Sequence, residues 1–282
     1  MNSKYLATAQ SGAQPVVTMS REVFPGCIFV SAEWFTAPSE DLGMSHRDSD
    51  EMFILVGSDE ANPESLNAEM ELQIENDTLT LTHTCAVFVP GGAARGNFRI
   101  KSLTKPVLCV TCHVNADTYE STPAVPTAPK GAYANNVAER YAPPSGVIPA
   151  APEGFLTLLL YLSSERIKGA PYMEIMWFNT ANDTGPTPHV HDDIDEFIGF
   201  LGTDPEHPDE LGATVQLYID DEPVTVTKSS LFHIPRGVKH GPLLVPELSR
   251  PIIHFSGGNG GGYDKRATAG TEEETAQNSY KP

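Results

Sequence analysis

Apolar and polar residues alternate in short runs along most of the chain. In Ala213-Thr214-Val215-Gln216-Leu217-Tyr218-Ile219 every second residue is apolar, which is the period of a strand with one buried face. The run stops at Asp220-Asp221-Glu222-Pro223 and resumes as Val224-Thr225-Val226-Thr227, so it predicts a hairpin. Leu231-Phe232-His233-Ile234 reads as another strand, ended by Pro235-Arg236-Gly237, and Pro251-Ile252-Ile253-His254-Phe255 as a last one. The 24 prolines and 23 glycines fall between such runs. The pattern therefore predicts an all-β protein of short antiparallel strands, closed into a sandwich or barrel that hides its edges.

The pattern occurs twice. Moving the chain by 145 positions lays His46-Arg47-Asp48-Ser49-Asp50-Glu51 over His191-Asp192-Asp193-Ile194-Asp195-Glu196, and the register holds without a gap to Gly96 over Gly241. Of those 51 paired positions 16 are identical, among them Gly57/Gly202, Pro63/Pro208, Leu72/Leu217, Pro90/Pro235 and Gly92/Gly237, which marks a tandem duplication. A repeat of about 100 residues is a domain rather than a solenoid unit, so each half is expected to have its own core. The predicted divisions are an N-terminal arm (1–20), a first domain (21–118), a proline- and alanine-rich connector (119–153), a second domain (154–266) and a disordered tail (267–282). The connector is expected to wrap along the domains.

Charge narrows the partners. With 18 basic against 37 acidic residues the formal charge is −19, so nucleic acid and anionic membranes are poor partners. The apolar run FLTLLLYL at 155–162 is far short of the roughly 18–20 residues of a membrane span, and the reading is of a soluble cytoplasmic protein. Cys27, Cys85, Cys109 and Cys112 read as buried thiols. Cys109-Val110-Thr111-Cys112-His113 matches the haem-attachment spacing, but LCVTCHV is β-branched and reads as a core strand.

Pro188-His189-Val190-His191-Asp192-Asp193-Ile194-Asp195-Glu196-Phe197 carries the candidate chemistry. His189 and His191 share strand parity and can converge on one ion. Glu196 has the opposite parity and joins them only if the acidic run turns or bulges. His240 follows the tight turn of Pro235-Arg236-Gly237. Three imidazoles and a carboxylate suit one divalent transition metal ion such as Fe, Mn, Ni, Cu or Zn. The competing reading of this stretch is a solvated acidic loop.

The spacing H-x-H-x4-E-x5-G followed by P-x-G-x-x-H resembles the paired motifs of the cupin superfamily, although the glutamate-to-glycine gap is one residue shorter than the commonest form. The resemblance covers both halves and implies a fold of two tandem cupin barrels, with His189, His191, Glu196 and His240 as metal ligands. In the first half Met44 stands where His189 does and Arg95 where His240 does, so the first domain is expected to be metal-free, with Arg95 a candidate for holding an anion. His233 and His254, replaced by Phe88 and Cys109 in the first half, are candidate pocket residues or core histidines. Tyr218 and Trp177 read as core.

The resemblance implies a metal-dependent enzyme with a small-molecule substrate. The leading expectation is a dioxygenase-like oxidoreductase whose enol- or carboxylate-type substrate chelates the metal, Glu196 doubling as ligand and proton acceptor. The alternatives are a non-redox lyase, decarboxylase or isomerase, and a non-catalytic binding protein. Oxalate decarboxylation is disfavoured because the Ser-Glu-Asn lid run associated with it does not occur. Homo-oligomerisation is a family expectation only.

Overall fold

The computed structural model describes residues 2–40, 43–116, 120–143, 151–262 and 266–267. Among them the regular structure is strand, apart from a 3-10 turn at Asn2–Tyr5. The repeat is reproduced strand for strand. Ser65–Ile74, Asp77–His83 and Cys85–Val89 recur as Glu210–Ile219, Glu222–Lys228 and Ser230–Ile234. Both long hairpins turn on two residues, and Asp220 and Asp221 have positive φ of 49° and 66°, the geometry that matches the twist of the strands.

Each repeat is built from two sheets. In the first, Cys85–Val89, Asp50–Gly57, Val107–Val114 and Phe29–Phe35 are consecutive neighbours in one sheet. Ser65–Ile74 lies in the other, between Arg99–Leu103 and Arg95–Gly96. The second repeat has the same plan: Ser230–Ile234, Glu196–Gly202, Ile252–Gly258 and Met173–Phe178 in one sheet, Glu210–Ile219 and His240–Leu248 in the other. Strand alternation sends Phe53 and Leu55 into the first interior with Met70 and Leu72, and Ile198 and Phe200 into the second with Val215 and Leu217. The paired sheets enclose a barrel-like core without joining into one closed ladder.

Each repeat has its own interior core, and a further cluster joins the two. Met52, Ile54 and Val56 face away from the first interior and pack in one cluster with Phe197, Leu201, Ile253 and Phe255 of the second repeat. Each such side chain contributes about 1.5–3 kcal/mol by leaving water, so the seam is a third core. The N-terminal arm also crosses over: Leu6–Thr8 pairs antiparallel with Ser230–Phe232, an edge strand of the second repeat's sheet, while Val17–Met19 pairs with Phe29–Phe35 of the first.

Identities between the repeats have mechanical causes. The Thr84 hydroxyl accepts from Gly57 N at 3.2 Å and donates to Pro63 O at 2.6 Å. Ser229 does the same for Gly202 N at 3.1 Å and Pro208 O at 2.7 Å. A Cβ on Gly202 would lie 2.0 Å from Glu210 O, and one on Gly57 1.9 Å from Ser65 O, so neither position admits a side chain.

The connector is held down by two buried carboxylates. Glu75 accepts from Ala94 N at 2.7 Å, Ala128 N at 2.9 Å and Thr127 N. Asp77 accepts from Gly131 N at 2.6 Å and Tyr133 N at 2.8 Å. Burial pushes the Glu75 pKa up, but the N–H donors outweigh it and the net shift is downward. Asp77 is lowered by Tyr133 and Gly131. The expected tail lies outside the described residues except for the strand Arg266–Ala267, which pairs with His189–Val190.

Removing Glu75 orphans N–H groups in the connector. Glu75→Ala is expected to lower stability by roughly 2–4 kcal/mol in urea unfolding and to open 127–133 to proteolysis. Because both folded pKa values are depressed, the stabilisation is complete above the unfolded carboxylate values near about pH 4 and is lost as pH falls below them. An acid titration of stability in which Glu75→Ala and the parent lose the same amount would contradict the clamp.

Candidate metal centre

His189 and His191 sit on and just after the short strand His189–Val190, whose partner residue across the ladder is His240. All three histidines are buried, and one ring nitrogen from each lies within 4.8 Å of the others. His189 Nδ1 lies 2.9 Å from Thr187 O and His240 Nδ1 3.1 Å from Val238 O. A carbonyl can only accept, so in both rings Nδ1 carries a proton and Nε2 is the nitrogen free to face the site.

Glu196 joins them because the acidic run turns. Asp195 is clamped by Arg236, whose N, Nε and Nη2 donate to its carboxylate at 3.0, 3.2 and 2.9 Å, and by Asn259 at 3.0 Å. Gly237 N donates to His191 O at 2.7 Å, locking the two motif loops together. Glu196 then enters its strand on the interior parity of Ile198 and Phe200. Sequence reasoning located the turn but missed the Asp195–Arg236 pair that holds it.

Glu196 Oε2 lies 2.9 Å from His240 Nε2 and 3.4 Å from His191 Nε2. Two ligands held about 2.1 Å from one ion, at octahedral to tetrahedral angles, stand roughly 3.0–3.4 Å apart. Glu196 Oε2 and His240 Nε2 are buried without a well-aligned hydrogen bond, a costly arrangement unless a third body lies between them. The donor set and spacing fit a divalent transition metal ion. Burial pushes the Glu196 pKa up, but His191 and His240 outweigh it and hold the carboxyl well below the usual range, so it is ionised at neutral pH.

No protein-family profile matches this sequence, and no curated protein is similar to it. Solved structures share its fold. A mutant of oxalate decarboxylase from Bacillus subtilis superposes with a TM-score of 0.60 at 7% identity, covering 89% of this chain and 74% of that one. Vicilin from Solanum lycopersicum (tomato) gives 0.59 at 8% identity over 94% and 88% of the two chains. AerE from Microcystis aeruginosa gives 0.53 at 12% over 90% and 98%. The fold is that of tandem cupin barrels.

The first cupin barrel departs from the second by one step of register. His189 pairs with His240, but Ser45, not Met44, pairs with Arg95. A slip of one residue exchanges the faces of a strand. His46, which the aligned sequences place over His191, therefore turns outward to the Thr122 hydroxyl at 3.3 Å. Arg47 turns inward instead, its Nε 3.1 Å from Glu51 Oε1. Arg95 Nε and Nη2 donate to the two oxygens of Glu51 at 3.0 and 2.9 Å. Guanidinium groups thus stand beside Glu51 where, in the second barrel, imidazoles stand beside Glu196. Alignment carries no sign of a register slip, so Arg47 was not legible as a site residue.

The two weaker candidates separate. His254 faces the second interior, stacked on Phe200 at 4.9 Å and tilted against Phe178 at 4.7 Å, with Nδ1 3.1 Å from Gly199 O. Burial pulls its pKa down to about 4, so it is neutral. His233 does not line the pocket: it shares the parity of Leu231, on the seam, and its ring lies 5.3 Å from Phe24. Trp177 is core on the same seam. All four cysteines are free and buried, Cys109 and Cys112 on the strand Val107–Val114.

Protein purified without added metal is expected to carry one equivalent of a transition metal by elemental mass spectrometry. His191→Ala and His240→Ala should each reduce it at least tenfold, while His46→Ala leaves it unchanged. Equal loss in all three would contradict the single centre.

Proposed function

We propose that the protein is a metal-dependent cupin enzyme: His189, His191, Glu196 and His240 hold one divalent ion in the second barrel, and a small enol- or carboxylate-type substrate binds that ion through its oxygens. The observation carrying this reading is the convergence of buried imidazoles and a carboxylate on one point. An ion held there supplies Lewis acidity and, if redox-active, electron transfer. The first barrel takes no divalent ion, because guanidinium groups already saturate Glu51.

Charge limits the substrate. A divalent ion beside the Glu196 carboxylate leaves one net positive charge. Among the described residues of the second barrel no lysine or arginine is buried, and the interior is lined by Phe178, Phe200, Phe232 and aliphatic side chains. Such walls favour a monoanion, an enolate or a monocarboxylate, over a dianion needing further cations. They also keep out bulk water, which suits an oxidation of an enolate by dioxygen, Glu196 accepting the enol proton. The reaction class favoured is dioxygenase-like.

A second reading, a non-redox lyase or decarboxylase, is supported by the shared fold with oxalate decarboxylase, a protein described with Mn(II) centres. Fold similarity does not choose chemistry. Enols and monocarboxylates turned over with one dioxygen consumed per product, and none under strict anoxia, are the expected result. Undiminished anaerobic turnover by zinc-loaded protein would replace the oxygenase reading with the lyase.

A further inference from the structure

The centre of the first barrel has lost its imidazoles without losing its charge. Glu51 is 1% exposed and Arg95 8%. Arg95 is fully engaged, by Glu51 and by Gly96 O at 3.2 Å and Asn97 Oδ1 at 3.3 Å. Arg47 is not. Its Nε lies near Glu51 but out of line for a hydrogen bond, and Nε and Nη1 are both buried with no hydrogen-bond partner. His113 Nε2 stands 3.8 Å from Glu51 Oε1, and burial holds that ring neutral, at a pKa of about 4. Two guanidinium groups around one carboxylate leave one positive charge, in a chain whose formal charge is −19.

We propose that the first barrel binds a small monocarboxylate at Arg47, in the place corresponding to the metal centre of the second. A guanidinium only 19% exposed, ion-paired to Glu51 but with Nε and Nη1 left without hydrogen-bond partners, is relieved by a counterion that takes up those N–H donors. A planar two-oxygen anion matches the guanidinium fork. A single negative charge neutralises the cluster, whereas a dianion would only reverse its sign. Arg95, the residue the sequence singled out for an anion, serves instead to hold Glu51.

The test is calorimetric titration of the metal-loaded full chain with acetate. One saturable site is expected, weakened at least tenfold in Arg47→Gln at unchanged metal content and retained in His191→Ala. Glu51→Gln, which removes the competing carboxylate, should bind acetate more tightly than the parent. Arg47→Lys, keeping charge without the fork, should fall between parent and Arg47→Gln. Binding lost in His191→Ala but kept in Arg47→Gln would place the anion on the metal and overturn the proposal. Absence of saturable binding in the parent would overturn it too.

Discussion

Each barrel buries a carboxylate at the start of its innermost strand, and an ionised carboxylate removed from water must be neutralised where it stands. Glu51 and Glu196 pose the same problem at equivalent positions and receive different answers. Around Glu51 the solution is covalently part of the chain, in Arg47 and Arg95. Around Glu196 it is a cluster of buried imidazoles that can share a cation with it. The two centres thereby reach the same net charge by opposite routes, one complete at folding and one that waits for a cation.

Much of this was legible in the sequence, for reasons of period and spacing. Alternation gave the strands, and the offset of 145 gave their order twice, helped by Gly57 and Gly202, where backbone carbonyls leave no room for a side chain. The histidine and glutamate positions followed from a motif whose spacing is set by one turn and one strand. What could not be read was anything decided by pairing between strands. The slip that turns His46 out and Arg47 in leaves no trace in an ungapped alignment. The seam was hidden because a residue such as Met52 or Ile54 looks the same whether it faces its own barrel or the neighbouring one. For that reason the sequence left His233 open between pocket and core.

Those pairings also explain why the duplication has not drifted into independent halves. Val87 and Ala86 of the first repeat pair with Val137 and Ala138 from the connector, and buried carboxylates hold its Thr127, Ala128, Gly131 and Tyr133. With the seam shared by the two facing sheets, a change on either of those sheets is felt across it.

The crossed arm at Leu6–Thr8 has a consequence for how such a chain comes into being. During synthesis the segment emerges long before its partner Ser230–Phe232. Until then it is a strand without a sheet. The reverse holds for a fragment beginning at the connector: its sheet would end on a bare row of N–H and C=O groups at Ser230–Ile234, open to any other extended chain. In the first repeat the corresponding edge, Cys85–Val89, is covered instead by Val137–Ala138 of the connector that follows it.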